Sequence, residues 1–359
     1  MLEISTMTPY TRILFYWPRV DACFFILSPM KGTTMKKIIQ ALALITISLT
    51  MLSACVSTTT PQDDDVFTIG VIQFVSHPAL DATLEGLINH LTNENMLDRF
   101  TIVVQNAQGD PAIALTIAQQ FVSEGVDLIY AIATPAAQAA FNATTDTNIP
   151  VVINAVTSPV GAGVVQSLES SGNNVTGVTN AAPLEPQLAL VKEMLPNAQN
   201  IGFLFNLGEV NGRVLVEEAQ RIAPLLGMNA VVIGVTNISE VAAAMGQLLP
   251  QVDAVFNVTD NLVASATAQI VELAKQANKP VFGSDPNLLN LGLVAVDGVD
   301  FVALGEQAGA MVIDILINGT LPTDIPIGKP TNTRLFINQD MADALNITIP
   351  QSLRDRLGQ

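Results

Sequence analysis

The chain is short of the residues that build staples, metal sites and anion-binding surfaces. Its 359 residues include two cysteines, Cys23 and Cys55, and two histidines, His77 and His90. No disulfide framework can be built from these cysteines if the region before Cys55 is removed. A metal site lacks both cysteine companions and ligand spacing, so neither metal nor cofactor is expected. Charged residues make up only 13%, and basic ones are the scarcest: from residue 55 onward, 10 Lys and Arg stand against 30 Asp and Glu. Such a surface repels phosphate backbones, and no Lys/Arg cluster interrupts it, which argues against nucleic acid as a partner. Flat aromatics are few. The single Trp is Trp17, and Tyr130 is the only Tyr beyond residue 55, which disfavours carbohydrate relative to an amino acid.

The signatures of catalysis are missing as well. There is no G-x-S-x-G, no G-x-x-x-x-G-K-[ST] and no activated cysteine, so no enzymatic role is expected. His77 precedes Pro78 without a nucleophile motif and reads as a loop histidine with an ordinary role. The stretch Gly161-Ala162-Gly163-Val164-Val165-Gln166 imitates a dinucleotide fingerprint but lacks the third glycine and a strand directly before it.

What the chain has in quantity is apolar residues, 49%, and length enough for two α/β lobes rather than one. Its start reads as an address. Met35-Lys36-Lys37 is followed by an apolar run from Ile38 to Leu52 and then Ser53-Ala54-Cys55. That run is shorter than the ~20 residues of a membrane span and has the charged front and small-residue boundary of a secretory signal. Leu52-Ser53-Ala54-Cys55 resembles the bacterial lipobox, which makes Cys55 the expected lipidation site and the membrane anchor; the alternative is a plain signal peptide with an incidental cysteine. Residues 55–65, Thr-rich and then acidic, suit a tether. Residues 1–34 precede a signal with its own initiator-like Met35, and the expectation is that translation starts there and the prefix is mis-assigned.

Beyond the tether, strand-like and helix-like runs alternate. Phe67 to Ile72, Thr101 to Val104, Asp127 to Ile132 and Val151 to Ala155 form a first series; Ile201 to Phe205, Ala230 to Ile233, Ala254 to Val258 and Pro280 to Gly283 form a second. Between them lie helical stretches such as Pro111 to Ser123, Pro186 to Leu195 and Ala264 to Ala277, with apolar positions three and four apart, as in Ile113, Ile117 and Phe121. Strands that are apolar on both faces and separated by helices predict two doubly wound parallel-sheet lobes. Residues 66–180 with 299–328 are expected to form one lobe and 181–298 with 329–359 the other. The helix Phe301 to Ile317 and the tail from Thr333 cross back between them as a hinge.

Ligands of open parallel sheets bind beyond the carboxyl ends of the strands. Thr134-Pro135 is the clearest local signal there. Thr134 at an N-cap and Pro135 at the first helical position leave the N–H groups of Ala136 and Ala137 for a carboxylate; a simple well-capped helix fits equally. Glu209, Asp260 and Asp285 each follow a strand of the second series and offer partners for an ammonium group, Asp285 and Asp260 ahead of Glu209. Glu209 has an alternative partner in Arg213 one turn on, and each of the three has an alternative role as a helix cap.

The runs Ile72-Gln73-Phe74-Val75, His77-Pro78-Ala79-Leu80-Asp81, Gln105 to Asp110, Ala131 to Gln138, Pro159 to Gly163, Asn173 to Val178, Leu195 to Ala198, Val258 to Asn261 and Pro280 to Gly283 resemble the tryptophan/tyrosine-type family of ABC transporter substrate-binding lipoproteins. The resemblance extends from Phe67 to the C-terminus. It implies the type I periplasmic-binding-protein fold, three interlobe crossings and delivery of a small solute, associated in this family with aromatic amino acids, to an ABC permease and its ATPase outside the cytoplasm. It implies a cleft lined by Gln73, Phe74, Thr134, Ala136, Thr157, Asn206, Glu209, Asp260, Asn261 and Asp285. Ser158 stands where the family usually has aspartate before Pro159, so specificity is expected to differ if that position touches ligand. A monomer is expected. Two other readings stay open: a sensing module that hands its bound state to a membrane receptor, and a binder of another solute such as a sugar or nucleoside.

Overall fold

The computed structural model describes residues 66–357. The expected Cys55 anchor, the signal, the tether up to residue 65 and the prefix lie outside these residues.

The chain alternates strand and helix as the apolar runs predict. The first series is β1 (Phe67–Gln73), α1 (Pro78–Asn93), β2 (Phe100–Asn106), α2 (Pro111–Glu124), β3 (Leu128–Ile132), α3 (Thr134–Thr144), β4 (Val151–Asn154) and β5 (Val175–Val178). The second is α4 (Leu184–Met194), β6 (Asn200–Asn206), α5 (Val210–Ile222), β7 (Asn229–Val235), α6 (Val241–Leu248), β8 (Ala254–Asn257), α7 (Asn261–Ser265), α8 (Thr267–Gln276), β9 (Val281–Gly283) and β10 (Ala295–Gly298). Then come α9 (Phe301–Leu316), β11 (Arg334–Ile337), α10 (Gln339–Ala344) and α11 (Gln351–Arg356). No helix among the described residues is long and apolar enough to cross a membrane.

Two sheets result. The first has the order β2-β1-β3-β4-β5 and is parallel throughout; the second has the order β7-β6-β8-β9-β10-β11, with only β11 antiparallel to its neighbour. Val71, Ile72, Leu128 to Ile132 and Val151 to Ile153 are almost wholly buried, because helices cover both faces of the sheet. Burial of each large aliphatic side chain stabilises by about 1.5–3 kcal/mol. The edge strand β2 is apolar in sequence yet leaves Val104 exposed.

The chain passes from one sheet to the other three times: after β5, between β10 and α9, and between α9 and β11. The returning helix α9 packs along α1 so tightly that no side chain fits between them. A Cβ on Gly86 would meet Val302 O at 2.1 Å, and one on Gly305 would meet Thr83 O at 2.2 Å. The last passage is tied by Gly328, whose N–H donates to Gly177 O and whose carbonyl accepts from Thr179 N–H.

Two local expectations are corrected. The N-cap of α3 is Ala133 rather than Thr134: Ala133 sits at φ 81°, ψ 159°, and its carbonyl accepts from Ala137 N–H at 3.0 Å. Thr134 is therefore the first helical residue, and Ala137 N–H is committed within the helix. The helical stretch from Ala264 to Ala277 is broken at Ala266, where α7 ends and α8 begins.

Candidate functional site

Each sheet has one topological switch point, between β1 and β3 in the first and between β6 and β8 in the second, where chain connections leave in opposite directions and open a crevice. The loops at both switch points meet around one narrow cavity. From the first lobe come His77 and Leu80 after β1, Thr134 after β3, and Ala155 and Thr157 after β4. From the second come Asn211 after β6, Asn257 to Asn261 at β8, and Gly283 to Asp285 after β9. Ala133 and Ala155, both at strand ends beside the cavity, have positive φ, a conformation that costs on the order of 1–3 kcal/mol for a non-glycine residue. Tertiary structure imposes that strain at the site.

Of the residues expected in the cleft, Thr134, Thr157, Asp260, Asn261 and Asp285 line the cavity. The others do not. Phe74 is buried in the core of the first lobe: the chain stays in ladder register past β1, with Phe74 N–H donating to Ile132 O, and its ring turns under the helices. Gln73 donates to Asp81 Oδ1 at 2.6 Å, and Ala136 is buried in the first turn of α3. Ser158 Oγ accepts from Gly161 N–H at 3.2 Å. Asn206 is a turn residue, accepting from Gly208 N–H and donating to Glu209 Oε1.

Glu209 lies behind the cavity wall, 2% exposed, and sets the orientation of its neighbours. Its Oε2 accepts from Asn211 Nδ2 at 3.0 Å and from both the side-chain amide and the backbone N–H of Asn261. With its amide nitrogen committed, Asn261 presents Oδ1 to His77 Nε2 at 3.3 Å across the two lobes. His77 Nε2 therefore carries the proton, and Nδ1, buried and without a partner, is an acceptor. Burial holds the His77 pKa below its ordinary value, outweighing the opposing influence of Asn261 and Asp81, so the ring is neutral.

The same logic fixes two more acceptors. Asn211 Nδ2 is shared between Glu209 and Thr259 O, leaving Asn211 Oδ1 unpartnered. Asn257 Nδ2 donates to Thr267 Oγ1, whose own hydroxyl donates to Val263 O, leaving Asn257 Oδ1 unpartnered. Asn180 Oδ1 is the fourth unpartnered buried atom on the cavity wall. Buried acceptors without donors are costly, on the order of 1–3 kcal/mol each, so their gathering here marks a place built for a ligand rich in N–H or O–H groups.

The carboxylates complete this picture. Asp285 Oδ1 accepts from the backbone and side chain of Asn287, while Oδ2 has no hydrogen-bond partner among the described residues. Burial pushes the Asp285 pKa up to about 6 against those hydrogen bonds. Asp260 is held at both oxygens, Oδ2 accepting from Asn206 N–H at 2.7 Å and Oδ1 from Val263 N–H at 3.1 Å. Desolvation first and the nearby Glu209 charge second raise its pKa. Among the described residues none of Glu209, Asp260 and Asp285 forms an ion pair, and no Lys or Arg lines the cavity. Sequence reasoning read His77 as an ordinary loop histidine and missed Asn180, Asn211 and Asn257, of which Asn180 and Asn257 lie at or just past a strand end and Asn211 in the first turn of α5.

Residues 68–358 match the family described as ABC transporter substrate binding protein. The chain belongs to this family. It is 38% identical over 281 residues to a tyrosine-binding protein of Clostridioides difficile (strain R20291), an overlap of 78% of this chain and 81% of that one. The crystal structure of an ABC domain in complex with L-Trp from Streptococcus pneumonia is 35% identical, covers 82% of this chain and 99% of its own, and superposes with a TM-score of 0.79. The ligand-free, open structure of a substrate binding protein with adhesive properties from Clostridium difficile is 36% identical over 81% of this chain and 98% of its own, with a TM-score of 0.62. At nearly equal identity and coverage, this substrate-binding protein superposes better on the L-Trp complex than on the ligand-free, open structure.

Proposed function

We propose that this substrate-binding protein captures an amino acid, aromatic in its side chain, in the cavity between its lobes and hands it to an ABC permease and its ATPase outside the cytoplasm. The observation that carries this reading is the wall of acceptors: Asp285 Oδ2, His77 Nδ1, Asn211 Oδ1 and Asn257 Oδ1 around a cavity without Lys or Arg. An ammonium group brings three N–H donors and a positive charge, and so satisfies orphaned acceptors and an unpaired buried carboxylate together. The ligand's carboxylate is assigned to the other side of the cavity, where Thr134 and Thr157 bring hydroxyls and the N-terminus of α3 favours negative charge. Support for an aromatic side chain comes from the relatives named for tyrosine and L-Trp and from the apolar walls of Leu80, Val258, Leu288 and Phe301.

In this reading residues 66–180 with 299–328 form one lobe and 181–298 with 329–359 the other, and the three passages between them are the hinge. The protein works as a monomer tethered through lipid on Cys55, and binds without turnover. A thermal-shift screen against the amino acids, simple sugars and nucleosides tests the ligand class, because a ligand bound only by the folded state at 100 times its Kd stabilises by about 2.7 kcal/mol. A rise of several degrees with L-Tyr or L-Trp is expected; a selective rise with a sugar or nucleoside would overturn it.

A further inference from the structure

Most hydrogen bonds that shape the cavity wall run within one lobe. Asp81 holds the loop after β1: its Oδ1 accepts from Gln73 Nε2 at 2.6 Å, and Ser76 Oγ lies 3.1 and 3.0 Å from its two carboxylate oxygens. The next residue, His77, is extended at the N-cap of α1, and its carbonyl accepts from Asp81 N–H at 3.0 Å. In the second lobe Glu209 Oε2 holds Asn261 by both its side-chain amide and its backbone N–H, and Glu209 Oε1 accepts from Asn206 Nδ2 at 3.1 Å. His77 and Asn261 are thus each placed by bonds within their own lobe.

The bond between these two residues crosses the cleft. His77 Nε2 donates to Asn261 Oδ1 at 3.3 Å, and each residue is 8% exposed. Beside this bond α1 packs against the turn Pro286–Leu291 of the second lobe, and Leu80 and Leu288, one from each, line the same cavity. Water is largely kept from such a bond, and with both partners already oriented little side-chain freedom is lost when it forms. Its two atoms are committed to each other and not to a ligand. The bond therefore forms whenever the lobes close to this distance, and it must break for them to part.

We infer that His77 and Asn261 form a latch that fastens the closed lobes over the ligand and sets how long the ligand stays. The inference rests on the proposed amino-acid reading and adds the pair that retains what has been captured. Because the bond exists only after closure, its loss speeds release and leaves capture nearly unchanged. His77 Nδ1 is also the acceptor assigned to the ammonium group, so replacing His77 removes a ligand contact together with the latch. The coupling between His77 and Asn261 isolates the latch from that contact.

The test is the release rate of L-Tyr and L-Trp, measured by stopped flow on the purified protein, on His77→Phe, on Asn261→Ala and on the double variant. Each single variant is expected to release both ligands faster, with association within about twofold of wild type. The double variant is expected to release them about three- to tenfold more slowly than the product of the two single effects, because the second substitution finds the latch already gone. Single effects that simply multiply would overturn the latch and leave the amino-acid reading in place. Wild type binding neither L-Tyr nor L-Trp would overturn the aromatic reading and this inference with it. A check that needs no variant to fold is NMR of the wild-type complex with L-Trp. The His77 Nε2 proton is expected to exchange slowly with solvent there, and rapid exchange would overturn the latch.

Discussion

Glu209 Oε2 accepts the side-chain amide of Asn261, and this one contact determines which atom of Asn261 faces His77 on the opposite lobe. A buried carboxylate outside the cavity thereby sets the tautomer of a histidine inside it. Glu209→Gln replaces one acceptor oxygen by a donor and breaks the order of bonds through Asn211 and Asn261. The expected result is a loss of stability of about 1–3 kcal/mol, with ligand affinity reduced at least severalfold. Nitrogen NMR of the His77 ring checks the cause: the proton sits on Nε2 in wild type and is redistributed in the variant.

Asp285 predicts a pH dependence with a definite sign. Burial lifts its pKa from 3.8 to about 6, so the folded protein keeps this proton at pH values where the unfolded chain has lost it. The group therefore contributes stability below about pH 4, and that contribution is lost as pH rises through 6. An ammonium ligand needs the ionised form. Affinity should hold above pH 6 and fall below it by up to about tenfold per unit, which calorimetry across pH 4.5–7.5 measures. Asp285→Asn keeps the bond to Asn287 but not the charge. It should bind about ten- to a hundredfold more weakly while the ligand-free protein melts at the same or a higher temperature at pH 7.

The two lobes were legible because apolar runs such as Leu128 to Ile132 have no polar alternation, and only a sheet covered on both faces can bury them. The strands β10 and β11 and the helices α5 and α6 were harder to see. Ala295–Gly298 carries Asp297 within four residues, and α5 interrupts its apolar stripe with Asn211, which lines the cavity, and Gly212, which packs against Asp260. The strand-end rule pointed to Thr134, Asp260 and Asp285, and the family resemblance added Thr157 and Asn261; topology fixes where those residues sit. Neither could find the direction of each side chain, which depends on loop dihedrals such as φ 81° at Ala133 and on the ladder bond that turns Phe74 inward. Nor does an asparagine announce from sequence whether its oxygen will be left over; that follows from bonds to residues far along the chain, as with Asn261 and His77.

Gly305 offers a test of the helix pair that ties the returning segment to the first lobe. A methyl group there would lie 2.2 Å from Thr83 O and 2.7 Å from Gly86 Cα, both backbone atoms that cannot swing aside. Gly305→Ala must push α9 away from α1, at a cost of about 1–3 kcal/mol or more. Denaturant unfolding should show that loss, and ligand affinity measured well below the unfolding transition should change little, since neither helix face at this contact lines the cavity.

Gly212 is the counterpart inside the site. A Cβ on it would lie 2.2 Å from Asp260 Oδ2, the oxygen that accepts from Asn206 N–H. Unlike the backbone atoms around Gly305, this one is on a side chain that can rotate, so the methyl group is accommodated by expelling the carboxylate. Asp260 then gives up its bonds to Asn206 and to the first turn of α7, and with them its place on the cavity wall. Gly212→Ala should therefore lose stability through the broken cap by about 1 kcal/mol and also lose ligand affinity, by at least tenfold, at temperatures where it is fully folded. Pairing the two variants separates the effects: destabilisation without loss of binding in Gly305→Ala and destabilisation with loss of binding in Gly212→Ala tie affinity to the position of Asp260. If Gly212→Ala binds as tightly as wild type, the Asp260 carboxylate makes no contact with the ligand and Asp285 is the sole anchor for its positive charge.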